Sequence, residues 1–129
     1  TKLILSGGVS DLKHAVRYDF TDLQVYQFWK KGYITYHRQN HWTHNKTLKK
    51  AFYDEFFTLN IPKALKQSHK PILILHGEQD QGVFVKEAHE LFKLVNKPKK
   101  LAIIKGADHS FSKPLYLSQA LNAIKKFIK

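Results

Sequence analysis

An α/β fold carrying a short parallel sheet is what this sequence predicts, on three observations. Two four-residue apolar runs, Ile72 to Leu75 and Leu101 to Ile104, are too short for helices and unbroken by polar residues, which is how parallel strands buried on both faces read. Each is followed by a stretch whose apolar residues recur with helical spacing. A third segment, Lys2 to Leu5, opens the chain and ends at Ser6-Gly7-Gly8, so the order is strand, insertion, strand, helix, strand, helix.

Taken in order, Lys2 to Leu5 is the first of three parallel strands, and Asp11 to Arg17 reads as a loop or a helical turn. Asp22 can cap a helix to about Lys31, with Leu23, Tyr26 and Phe28 or Trp29 as its apolar stripe. Gly32 stops it. Tyr33 to His37 is rich in β-branched and aromatic residues and predicts a short strand or hairpin with a turn near Gln39-Asn40. Asn45 or Thr47 can start a second helix through Phe57. Ile61-Pro62 opens a third, ending near Ser68, since proline early in a helix costs no hydrogen bond. Residues 11–69 therefore read as a mostly helical insertion between two sheet strands.

Pro71 opens the central strand. Beyond Asp80, the residues Phe84, Ala88, Leu91, Phe92 and Val95 form the stripe of a helix packed on a sheet, ended by Asn96 and Pro98. After the third strand Pro114 starts the last helix. Its Leu117, Leu121, Ile124 and Ile128 predict a buried stripe, while Lys125, Lys126 and Lys129 suit its C-terminal dipole.

With 129 residues, 43% hydrophobic and 13% aromatic, the chain can build a globular core and is one domain or part of one. The absence of cysteine excludes disulfides, thiolate catalysis and cysteine metal sites, and permits a reducing, cytoplasmic setting. No apolar run approaches the roughly eighteen residues of a membrane span. A net charge of +12 would suit a polyanion, but the lysines are scattered along helix faces without a nucleic-acid motif, so no nucleic-acid partner is expected.

The chemistry gathers at two strand ends. The central strand leads through His76-Gly77 to Asp80, and the third through Gly106-Ala107-Asp108 to His109, so each presents an acid–base residue beyond a carboxyl end, where open α/β sheets keep their active sites. Taken singly, Asp80 could cap the next helix and His109 could be an ordinary loop histidine. Together, on consecutive parallel strands, they can form a carboxylate–imidazole pair.

Pro-Ile-Leu-Ile-Leu-His-Gly-Glu-Gln-Asp at 71–80, followed by Gly-Ala-Asp-His-Ser-Phe at 106–111, resembles the last part of an α/β-hydrolase, most closely the small serine esterases of the dienelactone-hydrolase and serine-aminopeptidase-like type. The resemblance implies Asp80 as catalytic acid and His109 as base, with Asp108 matching no family role. Where the family often has Val-Pro, this chain has Val83-Phe84. The resemblance further implies that 1–129 is the C-terminal segment of one hydrolase domain, with 11–69 as its cap. Its partners would be the N-terminal half of the same hydrolase and a small ester or thioester substrate, with no metal or organic cofactor.

The nucleophile should lie in Gly-x-Ser-x-Gly on a strand-to-helix turn, and no such pentapeptide occurs. Ser6 is the nearest candidate, but Ile4 stands where a small residue is needed, and no further strand would lie between the one ending at Ser6 and the one leading to Asp80, where the fold needs one. A serine outside these residues is therefore the expected nucleophile, and the alternative is a non-catalytic binding module derived from a hydrolase. His37, His41 and His44 read as surface histidines, since no carboxylate or cysteine lies at ligand spacing. The aromatics concentrated in the insertion read as its core.

Overall fold

Strand β4 (Ile72–Gly77) has all six residues buried and lies between β1 (Leu3–Ser6) and β5 (Lys99–Ile104). The computed structural model describes residues 1–129. Both pairings are parallel, with Ser6 opposite Leu75 and Ile104 opposite Gly77, so β4 and β5 end level and β1 stops two residues short of them. Ile72 and Ile74 pack against Leu65, Ala88, Leu91 and Val95, whereas Leu75 packs with Ile104, Ala107 and Ala120. Alternation of side chains along the strand thus sends β4 into two apolar layers. Four such residues at roughly 1.5–3 kcal/mol each outweigh any other local contribution, which is why this segment carries no polar residue before His76.

The chain divides into two compact units, one of Thr1–Asp11 with Asn60–Lys129 and one of Leu12–Leu59. Helix α4 (Ile61–Gln67), which the sequence reading set inside the insertion, packs in the first unit through Leu65. Its N-cap is Asn60, whose side chain accepts from Lys63 N at 2.9 Å. Helix α5 (Lys86–Leu94) buries Ala88 and Leu91, but Phe84 lies ahead of it and is half exposed. Helix α6 (Pro114–Ile128) corrects the expected stripe. Leu117, Leu121 and Ile128 are exposed by 49%, 45% and 55%, and the packed side is Ala120, Ala123, Ile124 and Phe127. The alanines let the helix approach the sheet closely, and a helix apolar on two sides can bury only one against it.

In the second unit, α1 (Leu12–Asp19) is a full helix where a loop or turn was expected, with Ala15 buried. Helix α2 (Asp22–Lys31) is capped by Thr21, not Asp22. Gln24 N donates to Thr21 Oγ1 at 3.3 Å and Thr21 N donates to Gln24 Oε1 at 2.9 Å, a capping box that leaves Asp22 to complement the dipole. Gly32 ends α2 at φ 78°. Strand β2 (Tyr33–Thr35) forms an antiparallel hairpin with β3 (Thr47–Lys49), so Thr47 belongs to a strand and α3 (Lys50–Thr58) starts later than expected. Thr35 faces Thr47 across the hairpin with hydroxyls 3.4 Å apart, and Ile34, opposite Leu48, is buried. Phe20, Phe28, Tyr53 and Phe56 close the core with ring centroids 5.2–5.8 Å apart.

Candidate active site

The loops after β4 and β5 are stitched together before any functional side chain is placed. Glu78 N donates to Ile104 O at 3.0 Å, Gln79 N to Ala107 O at 2.9 Å, and Gly106 N to the Glu78 carboxylate at 2.9 Å. The approach is so close at Gly77 that an added Cβ would stand 2.4 Å from Ala107 O and 2.5 Å from Asp108 O. Only glycine fits there.

Asp80 is buried in the first of these loops. Its Oδ1 accepts from Gly82 N at 2.9 Å and from Val83 N at 2.8 Å, the local turn that a short carboxylate side chain makes with the backbone just ahead of it. That fixes Oδ2, which lies 2.7 Å from His109 Nδ1. The sequence's Asp80 and His109 are thus brought together at one end of the sheet. Asp80 does not cap α5, which begins at Lys86 without a side-chain cap.

His109 is held by its own loop and by two glycines. Asp108 accepts from Ser112 N at 2.9 Å and from the Ser112 hydroxyl, and these hydrogen bonds hold its carboxyl below the usual carboxylate range. Its carboxylate is occupied by this clasp and takes no part in holding the imidazole. The ring of His109 lies over Gly7, at the end of β1, and beside Gly82. It therefore reaches across the end of β4 to the edge strand, half exposed, with Nδ1 engaged by Asp80 and Nε2 unbonded. A proton held on Nδ1 by a buried carboxylate leaves a lone pair on Nε2, which can take a proton from a hydroxyl while the carboxylate stabilises the imidazolium that forms.

Ser6, at the end of β1, makes no hydrogen bond to His109, and the backbone after it bonds to β4 through Gly7 N and Leu75 O at 3.0 Å. The residue that sequence reasoning missed is His76. It is completely buried, with Nε2 2.8 Å from Val83 O and 3.2 Å from Asp80 Oδ2. Its place directly before Gly77 was the available signal, but a histidine ending an apolar run does not disclose a contact made by a later loop. His41 of the His-rich stretch pairs with Thr43 Oγ1 at 2.7 Å, and no three His, Asp or Glu side chains assemble as a metal site. The second unit has its own open groove of about 500 Å³ walled by Tyr36, Arg38, Trp42 and Phe52, where burial pushes the Asp19 carboxyl and the Tyr36 phenol up.

The sequence profile of the prolyl oligopeptidase family matches residues 14–129. No curated protein matches the sequence. Among solved structures, the esterase domain of a Rhodothermus marinus protein is 18% identical, with 99% of this chain and 52% of that one covered at a TM-score of 0.65. Mouse α/β-hydrolase domain-containing protein 10 is 16% identical, covering 98% and 52% at 0.69. Est1E from Butyrivibrio proteoclasticus is 28% identical over a shorter stretch, covering 65% and 33% at 0.57. The chain thus spans about half the length of the first two, which share its fold. No helix is long and apolar enough to cross a membrane.

Proposed function

The chain belongs to the prolyl oligopeptidase family and has the α/β-hydrolase fold, and from that premise we propose that it supplies the acid and base of a serine hydrolase cleaving a carboxylic ester or thioester. The observation that carries this reading is the 2.7 Å contact between buried Asp80 Oδ2 and His109 Nδ1, which leaves Nε2 unbonded. In the proposed reaction a serine outside residues 1–129 attacks the substrate carbonyl as His109 Nε2 takes its proton. Asp80 stabilises the imidazolium. The protonated Nε2 then returns that proton to the departing alcohol or thiol, the carbonyl–oxygen or carbonyl–sulfur bond breaks, and an acyl-serine remains. Water, deprotonated by the same nitrogen, attacks the acyl carbon and releases the acid and the serine hydroxyl. The position of His109 over Gly7, at the edge strand, supports a nucleophile arriving from a strand beyond β1. The partner in this reading is the N-terminal half of the same hydrolase, and the setting is cytoplasmic, compatible with a chain free of cysteine.

A second reading, hydrolysis of a peptide bond, is favoured by the family match itself. Both are separated by assaying the product of the complete reading frame against p-nitrophenyl acetate and an acyl-prolyl p-nitroanilide. His109-dependent turnover of the ester supports the first, of the anilide the second. Turnover of neither by a folded protein favours a binding module.

A further inference from the structure

The proposed reaction uses Asp80 and His109 but leaves a third ionisable side chain unexplained. His76, at the end of β4, is completely buried, and its Nε2 faces two acceptors, Val83 O at 2.8 Å and Asp80 Oδ2 at 3.2 Å. A lone pair there would oppose both oxygens, so Nε2 carries a proton. On the other side of the ring Nδ1 is buried without a hydrogen-bond partner. A proton on it would be an unsatisfied buried donor, the orphan that folded proteins avoid most strictly. The surroundings therefore select the Nε2–H tautomer, opposite to the Nδ1–H form that Asp80 imposes on His109.

Val83 closes the arrangement into a ring. Its N–H donates to Asp80 Oδ1 at 2.8 Å while its C=O accepts from His76. The same imidazole N–H thus reaches both the peptide that orients the carboxylate and the carboxylate itself. We propose that His76 is a positioning residue for the acid–base pair, clamping Val83 and Asp80 to the end of β4 so that Oδ2 stays on His109 Nδ1. This inference rests on the reading of Asp80 and His109 as that pair. It separates His76 from an ordinary core residue, because leucine could fill the volume but could not donate.

The test reads tautomers rather than turnover. Long-range ¹H–¹⁵N correlation spectra of the ¹⁵N-labelled product of the complete reading frame, recorded near pH 9 where free imidazoles are uncharged, assign both rings. The expected wild-type result is Nε2–H on His76 and Nδ1–H on His109. His76→Gln, whose amide can donate from near the Nε2 position, keeps His109 in the Nδ1–H form. His76→Leu lets it relax to the mixture of a free imidazole, and His76→Asn, too short to reach Val83, does the same should the leucine variant fail to fold. A His109 that stays Nδ1–H in a folded leucine or asparagine variant overturns the proposal, as does a wild-type His76 protonated on Nδ1. Loss of the Nδ1–H form of His109 in the wild type would instead sink the acid–base pair itself.

Discussion

A β-carbon added at Gly7 would stand 2.9 Å from Cε1 of His109, so the first strand of the chain ends under the ring delivered by its last strand. Gly7 also has φ 57°, the left-handed region that costs other residues about 1–3 kcal/mol. Gly7→Ala is therefore expected to destabilise the chain by about that amount and to push the imidazole off Asp80. Thermal unfolding gives the first quantity, and loss of the His109 Nδ1–H signal gives the second. An alanine variant with the wild-type melting temperature and His109 tautomer would contradict the placement.

Gly77 is the stricter case, because what a side chain would meet is backbone, Ala107 O at 2.4 Å, and not a mobile ring. Gly77→Ala should force the β4 and β5 loops apart at a cost of about 3 kcal/mol. The denaturation midpoint, compared with that of Gly8→Ala, whose added Cβ meets only Leu91 Cδ1 at an ordinary 3.5 Å, measures it. Equal losses in the two variants would contradict the close approach of backbone at Gly77.

Asp108 gives a pH dependence whose sign is fixed by its lowered carboxyl. A carboxylate depressed in the fold contributes stability above its unfolded value and loses it as pH falls through the folded one. The clasp to Ser112 should therefore persist below the pH at which free carboxylates protonate and open only in stronger acid. Carboxyl ¹³C titration of Asp108 is expected to show a midpoint below the usual range, restored toward it in Ser112→Ala. Identical midpoints would remove Ser112 as the cause.

Legibility in the sequence followed how local each determinant is. The β4 and β5 strands could be read because burial on both faces leaves an unbroken apolar run. Asp80 and His109 could be read because chain order and turn residues place both beyond strand ends. Gly32 announced its helix end by the one conformation glycine takes at no cost. The start of α3 was misread because Thr47 and Lys49 are held in a strand by pairing with Thr35 and Tyr33, partners supplied by the hairpin. The buried side of α6 was misread because its apolar residues run around two sides, and only the close approach of Ala120 decides which faces the sheet. His76 and Gly7 were invisible as site residues, since each acts through a loop distant in sequence.

The outer side of β1 and the exposed stripe of α6 leave unpaired backbone and apolar side chains in the first unit. The 129-residue chain on its own should therefore self-associate, and Leu117→Lys with Leu121→Lys should reduce it. Sedimentation velocity checks this, and a monodisperse wild-type monomer across the micromolar range would contradict it.

In the proposed reaction Asp80 and His109 activate a serine lying outside residues 1–129. Its most direct test is labelling of the complete reading frame's product with a fluorophosphonate, followed by peptide mapping. One labelled serine outside this segment is expected, with labelling and turnover falling about ten-thousand-fold in Asp80→Asn and at least as far in His109→Ala. Labelling at Ser6, or labelling that survives His109→Ala unchanged, would contradict it.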